Sequence, residues 1–250
     1  MYRNPDFIKR VTSLELLNLM TQDFTGEKGL NYKTDIQSLF SKYYFKNTIN
    51  FKEIALNNVD KDKVNILINQ IKAANLSSFN YIYKYPIPSN RFGPGEIVLY
   101  LLLTNASLGG ITVGVDLVDG NNSYEIKAVR VLRNLYCKNF NVGSKIPNES
   151  ELIVELSTLC KERGIQGNST TINTKEIKLL RKRNIPEFES IQSRYANIVA
   201  SDYFKNETIF INNNDTNDKG LIVSIKRPTS KDILIDRVSE GRIRPMIDLR

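Results

Sequence analysis

The sequence predicts an α/β (α+β) protein, with a central β-sheet flanked by helices and a helical region ahead of it. Two β-rich runs, Val113 to Val118 and Ser123 to Val131, flank Asp119-Gly120-Asn121-Asn122, a hairpin pattern because glycine and asparagine tolerate the positive φ of tight turns. The run Ile97-Val-Leu-Tyr-Leu-Leu-Leu103 follows Gly93-Pro-Gly, and an all-round apolar helix of this kind must be buried. The first 85 or so residues lack strand alternation, but Asp6 to Met20, Lys33 to Phe45 and Asp60 to Ala74 space apolar residues by three and four, as helices do.

The hairpin is the most informative element. If Gly120-Asn121 is a two-residue loop, paired positions sum to 241 and Asp116 faces Glu125; a four-residue loop over 119–122 gives the same register. Directly opposed side chains are about 4.5–5.5 Å apart at Cβ, and like charges there are destabilising. Lys127 lies two residues beyond Glu125, on the same face, opposite Gly114. A divalent cation between the carboxylates would relieve the repulsion; so would an exposed face on which Lys127 screens two acids. The alternation of Val113, Val115 and Leu117, and of Tyr124, Ile126 and Ala128, predicts strands buried on both faces, which favours the metal site.

Pro94 is suited to the first turn of the buried helix, and Glu96 complements the dipole there. Glu96 is therefore an ordinary helix-start residue, or an acid at the mouth of a helix that points toward Asp116.

Glu96 in a helix, Gly-Val-Asp116 on a strand and Tyr-Glu125-Ile-Lys127 on the next resemble, over Arg91 to Arg130, the core of the PD-(D/E)XK nuclease superfamily. The resemblance implies a restriction-endonuclease-like fold with a mixed central sheet, residues 1–88 forming a helical N-terminal region and 89–250 the nuclease-like core. It also implies Mg²⁺- or Mn²⁺-dependent hydrolysis of phosphodiester bonds in DNA. Asp116 and Glu125 would be metal ligands with the Ile126 backbone carbonyl, Glu96 an accessory ligand, and Lys127 the group that orients or activates the attacking water. A Gln-x-x-x-Tyr motif that one subgroup carries is not matched, since Gln192 and Tyr195 stand one residue too close.

The chemistry can be argued separately. A phosphodiester repels nucleophiles, so a cation must neutralise it and acidify a water. The chain has no histidine, which excludes the Ser-His-Asp and Cys-His triads and leaves a lysine, a carboxylate or metal-activated water as base. Cys137 and Cys160 form no Cys-x-x-Cys pair, so structural zinc is not expected, and they are read as buried thiols of a cytoplasmic chain without a signal peptide. The glycines from Gly109 to Gly114 lack the Gly-Lys-Ser/Thr of a phosphate-binding loop and read as a loop entering the first strand.

The chain has 250 residues, 41% hydrophobic and 25% charged, with net charge +8. Its longest apolar run, Ile97 to Leu103, is far too short for a membrane span. The charge lies in the flanks: residues 1–90 carry 12 basic and 8 acidic groups, 91–130 carry 3 and 4, and 131–250 carry 20 and 15. That suits a metal-filled site inside a surface attracted to a polyanion, although 28 asparagines also fit the codon bias of an AT-rich genome. Arg91, Arg130 and Arg133 adjoin the hairpin, and Lys178, Arg181 and Lys182 share a helical face able to contact phosphates; a solvated basic face is the commoner origin of such a run.

Tyr81 to Asn90, with two prolines, is read as the connection into the core. Later elements are a helix over Glu149 to Glu162 stopped by Gly164, a helical stretch capped by Thr174 and interrupted near Pro186, and strands at Glu207 to Asn212, Leu221 to Lys226 and Ile233 to Val238. A loose similarity to compact nuclease-like proteins of tailed phages supplies the alternative: a virion or DNA-packaging component that keeps the fold for assembly, with particle proteins or further copies as partners and the virion as its place. A DNA-binding module with no catalysis lacks any helix-turn-helix or zinc motif.

Overall fold

A computed structural model describes residues 37–38, 41–42, 46–84, 93–109, 115–132, 134–138, 146–212 and 221–250. The helix expected over Asp6 to Met20, most of Lys33 to Phe45, the end of the Tyr81–Asn90 connection, Arg91, Gly114 and Arg133 lie outside these residues. The helices are α1 (Phe51–Ile54), α2 (Lys61–Lys84), α3 (Pro94–Leu102), α4 (Glu149–Glu162), α5 (Thr174–Lys182) and α6 (Pro186–Ile198), the last continued by a π-helical turn, Val199–Tyr203. The strands are β1 (Ala106–Leu108), β2 (Leu117–Asp119), β3 (Asn122–Val131), β4 (Tyr136–Lys138), β5 (Thr171–Ile172), β6 (Glu207–Asn212), β7 (Ile222–Lys226), β8 (Ile233–Ser239) and β9 (Arg242–Asp248).

The fold is α/β, as the patterning predicts. Among the described residues nine strands share a sheet, ordered β1-β2-β3-β4-β9-β8-β5, with β6 pairing β3 and β7. The resemblance implied a mixed sheet, whereas every strand pair with a described register is antiparallel. The pairs joined directly in sequence, β2–β3, β3–β4 and β8–β9, need only the tight loops between them.

Two compact units divide the chain, one comprising residues 1–126 and 217–223, the other 127–216 and 224–250. The division falls inside β3, and α1 and α2 share a unit with the hairpin. In the first unit α3 begins at an N-cap glycine, Gly93, with Pro94 in its first turn, and Ile97 to Leu103 are all buried, as predicted. Leu56 crosses its end through a parallel bridge to Leu103, with bonds from Leu56 N–H to the Leu102 carbonyl (2.8 Å) and from Thr104 N–H to the Leu56 carbonyl (2.7 Å). Asn65 on α2 clasps the main chain of Ile222, donating to its carbonyl at 2.8 Å and accepting from its N–H at 2.9 Å.

In the second unit α4 covers the predicted residues and ends before Gly164, whose φ of +64° makes glycine the suitable stop. Thr174 is the first residue of α5 and Asn173 its N-cap; the Thr174 hydroxyl donates to Asp236 instead, at 3.2 Å. The inward residues Ile233, Ile235, Val238, Ile243 and Ile247 of β8 and β9 are nearly inaccessible. Buried polar side chains key the helices to these strands. Gln192 donates to the Ile233 carbonyl (2.9 Å) and accepts from Ile235 N–H (2.8 Å), and Glu149 accepts from Ile243 N–H (2.8 Å) and Arg242 Nε (2.7 Å).

Strand β9 was not foreseen. Its Pro245 sits opposite Ile235, where the β8 register shifts, so the missing N–H falls at an irregularity. Asp232 closes the β7–β8 connection, accepting from Lys226 Nζ (2.8 Å), Thr229 N–H (2.7 Å) and the Thr229 hydroxyl (2.8 Å). Partial burial pushes its pKa up, but the bonds from Lys226 and Thr229 outweigh this and hold it below the ordinary carboxylate value. A depressed folded-state pKa adds stability above the unfolded value and loses it as the pH falls through the folded one. Asp232→Asn should therefore cost about 1–2 kcal/mol at neutral pH, and urea unfolding should show the gap to wild type narrowing below about pH 4.

Candidate active site at the hairpin

The hairpin forms in the predicted register: Leu117 pairs with Tyr124, Val118 with Ser123 and Asp119 with Asn122. Gly120 has a φ of +61°, in the loop position where a II′ turn requires glycine. Asp119, 4% exposed, accepts the Val59 N–H at 3.0 Å and so ties the hairpin to the segment before α2.

The register breaks at Asp116. Its N–H donates to the Tyr124 carbonyl at 2.8 Å, although Leu117 is already the partner of Tyr124. Two residues of one strand thus oppose one of the other, which is a β-bulge. Beyond it the Asp116 carboxylate accepts the Ile126 N–H through Oδ2 at 2.7 Å. Asp116 therefore spans the β3 backbone on either side of Glu125, and its carboxylate lies against the ladder instead of facing Glu125 across the sheet as a simple pair would. The like-charge repulsion expected from the uninterrupted register is eased by a peptide N–H. Oδ1 of Asp116 takes no hydrogen bond from the described residues.

On its other edge Asp116 receives the Gly109 N–H at its carbonyl, 2.8 Å away. A Cβ on Gly109 would stand 1.9 Å from the Val115 carbonyl oxygen. Gly109, read from sequence as part of a loop, is thus the residue that lets β1 close on the Val115-Asp116 peptide. The signal available in sequence was only the Gly109-Gly110 pair after Ala106-Ser-Leu108.

Glu125 is 7% exposed and Lys127 half-buried. Two-residue alternation along β3 puts them on one side of that strand, and Lys127 Nζ lies 5.4 Å from the centroid of the Tyr203 ring. The expectation that the hairpin strands are buried on both faces holds for Tyr124, Glu125 and Ile126, but Ala128 and Arg130 are exposed. Oε1 of Glu96 lies 3.1 Å from where a Cβ on Gly93 would stand, so its carboxylate is beside the start of its own helix. Ile126 engages Asp116 through its N–H.

Among the described residues no three acidic or cysteine side chains gather into a group able to hold a metal ion. Mg²⁺ itself needs only one or two protein carboxylates and completes its shell with water and substrate phosphate.

Of the candidate nucleic-acid contacts, Arg91 and Arg133 lie outside the described residues. Alternation places Arg130 on the opposite side of β3 from Lys127, where it faces Lys138 across the strand pair. Arg181 donates to the Ile235 carbonyl at 2.9 Å and lies 5.8 Å from the centre of the Phe188 ring, so it holds α5 to β8. Lys178 and Lys182 are exposed. Cys137 and Cys160 are free thiols in the core; burial pushes Cys137 up to about 12 and raises Cys160, which makes both poor nucleophiles. No helix among the described residues is long and apolar enough to cross a membrane. Compared with known proteins, the chain matches no family model, no curated protein and no solved structure.

The two hairpin glycines serve different ends, and substitution separates them. Gly109→Ala, blocked by backbone, should lose about 2 kcal/mol or more in chemical denaturation. Gly120→Ala, which meets nothing within 4 Å and suffers only from its positive φ, should lose about 1 kcal/mol. Equal losses would contradict the close approach at Asp116.

Proposed function

We propose that this chain is a metal-dependent nuclease that hydrolyses phosphodiester bonds in DNA. The observation that carries the reading is the 2.7 Å bond from Ile126 N–H to Asp116 Oδ2, which holds the acid just before β2 against the Glu125-Ile126-Lys127 segment of β3. Asp116 and Glu125 would hold Mg²⁺ or Mn²⁺. When bound, such an ion neutralises phosphoryl charge and lowers the pKa of water. Lys127 would orient the attacking water and offset the negative charge that develops on the phosphoryl oxygens. Glu96, in the first turn of α3, would be at most an accessory ligand. A buried acid beside a lysine on one strand is costly unless charge is compensated, and such groups concentrate at functional sites.

The purified chain, incubated with linear, circular and single-stranded DNA in Mg²⁺ or Mn²⁺, should cleave at least one of them. Asp116→Ala and Lys127→Ala should each lower the rate by about a hundredfold or more, with Gly120→Ala retaining activity. Absence of cleavage under every condition, with stable incorporation into a larger particle, would replace the nuclease with a phage structural protein that keeps the fold.

A further inference from the structure

The residue over Lys127 reaches it through an irregular piece of helix. In α6, Tyr195 is wholly buried, and an α-helix returns to the same side two turns later, at position 202. Here the Phe204 N–H reaches the Val199 carbonyl, five residues back, at 3.2 Å. The wider turn holds one more residue than an α turn; within it Asp202 is exposed and Tyr203 half-buried. Single π turns within helices are uncommon and occur often at functional sites.

The ring is also backed. Buried Phe204 meets Tyr203 edge-on, with centroids 4.9 Å apart and planes at 81°, and the Phe204 carbonyl accepts Arg227 Nε at 2.9 Å. Lys127 Nζ stands 5.4 Å from the Tyr203 centroid, inside the range of roughly 6 Å at which an ammonium is drawn to a ring face. A lysine carries its charge on a flexible four-carbon stem, so a fixed ring narrows where that charge can be.

We propose that Tyr203 is a positioning residue for Lys127, its ring face holding the ammonium on the side of β3 that carries Glu125. The catalytic consequence rests on the nuclease reading of Lys127; the placement does not. The attraction belongs to the ring and not to the hydroxyl, so phenylalanine should preserve it and leucine, of similar bulk, should not.

Carbon-13 labelling of lysines, with Lys127 assigned through Lys127→Arg, reads the contact directly in solution. The Lys127 ε-methylene protons should be shifted upfield in the wild type and in Tyr203→Phe, and return to the ordinary lysine position in Tyr203→Leu. With Mg²⁺ and DNA, Tyr203→Phe should cleave within about twofold of wild type, and Tyr203→Leu should lose about tenfold in kcat with KM nearly constant. An unshifted Lys127 in the folded wild type, or a Tyr203→Leu chain that loses the shift but keeps kcat, overturns the positioning role. A wild-type chain that shows the shift, loses it in Tyr203→Leu and cleaves nothing supports the placement and overturns the nuclease reading.

Discussion

A carboxylate that accepts a main-chain N–H from the neighbouring strand does two things at once: it replaces a ladder hydrogen bond and it fixes the acid in position. Asp116 does this to Ile126, and the local form of the hairpin depends on it. The bulge opposite Tyr124 lets the Asp116 side chain reach the β3 backbone, and the missing side chain of Gly109 lets β1 grip the same peptide from the other edge. Remove any one of the three and the acid is free to swing toward Glu125, where charge repulsion opposes it. A bulge that re-aims a side chain beside an active site is a familiar use of this irregularity.

The buried polar groups of the second unit follow the same logic with a different result. Glu149 and Gln192 satisfy backbone groups of β8 and β9, while Arg181 and Arg242 are drawn into those attachments. Some of the positive charge that suggests an anionic partner is occupied locally as well: Arg237 pairs with Asp236, Arg244 with Glu240 and Arg250 with Asp248. Ion pairs near the surface contribute little stability, but they reduce the field available to a polyanion. Net charge of +8 is a property of the whole chain and not of any one face.

What the sequence made legible was what depends on local chemistry. The hairpin register follows from one glycine and the period of two, so the pairing sum of 241 is observed from Leu117 to Asn122. The Pro94 start of α3, its burial and the limits of α4 are equally local. The break at Asp116 was hidden because it depends on Gly109 approaching from a different strand. Glu96 was legible only as one of two alternatives, and its carboxylate lies beside Gly93 at the start of its own helix. Strand β9 escaped because a proline in a strand argues against it, and only the shift at Ile235 makes room. The approach of Tyr203 to Lys127 was not legible, because it joins residues far apart in sequence through a π turn that the pattern does not announce.

We propose that Asp116, held against β3, serves a divalent ion together with Glu125. Calorimetric titration of the folded chain with Mn²⁺, without DNA, tests this. Saturable binding is expected in the wild type and should be lost in Asp116→Ala and in Glu125→Ala while both variants remain folded. Binding that survives both substitutions unchanged, or none in the folded wild type at millimolar Mn²⁺, would contradict it.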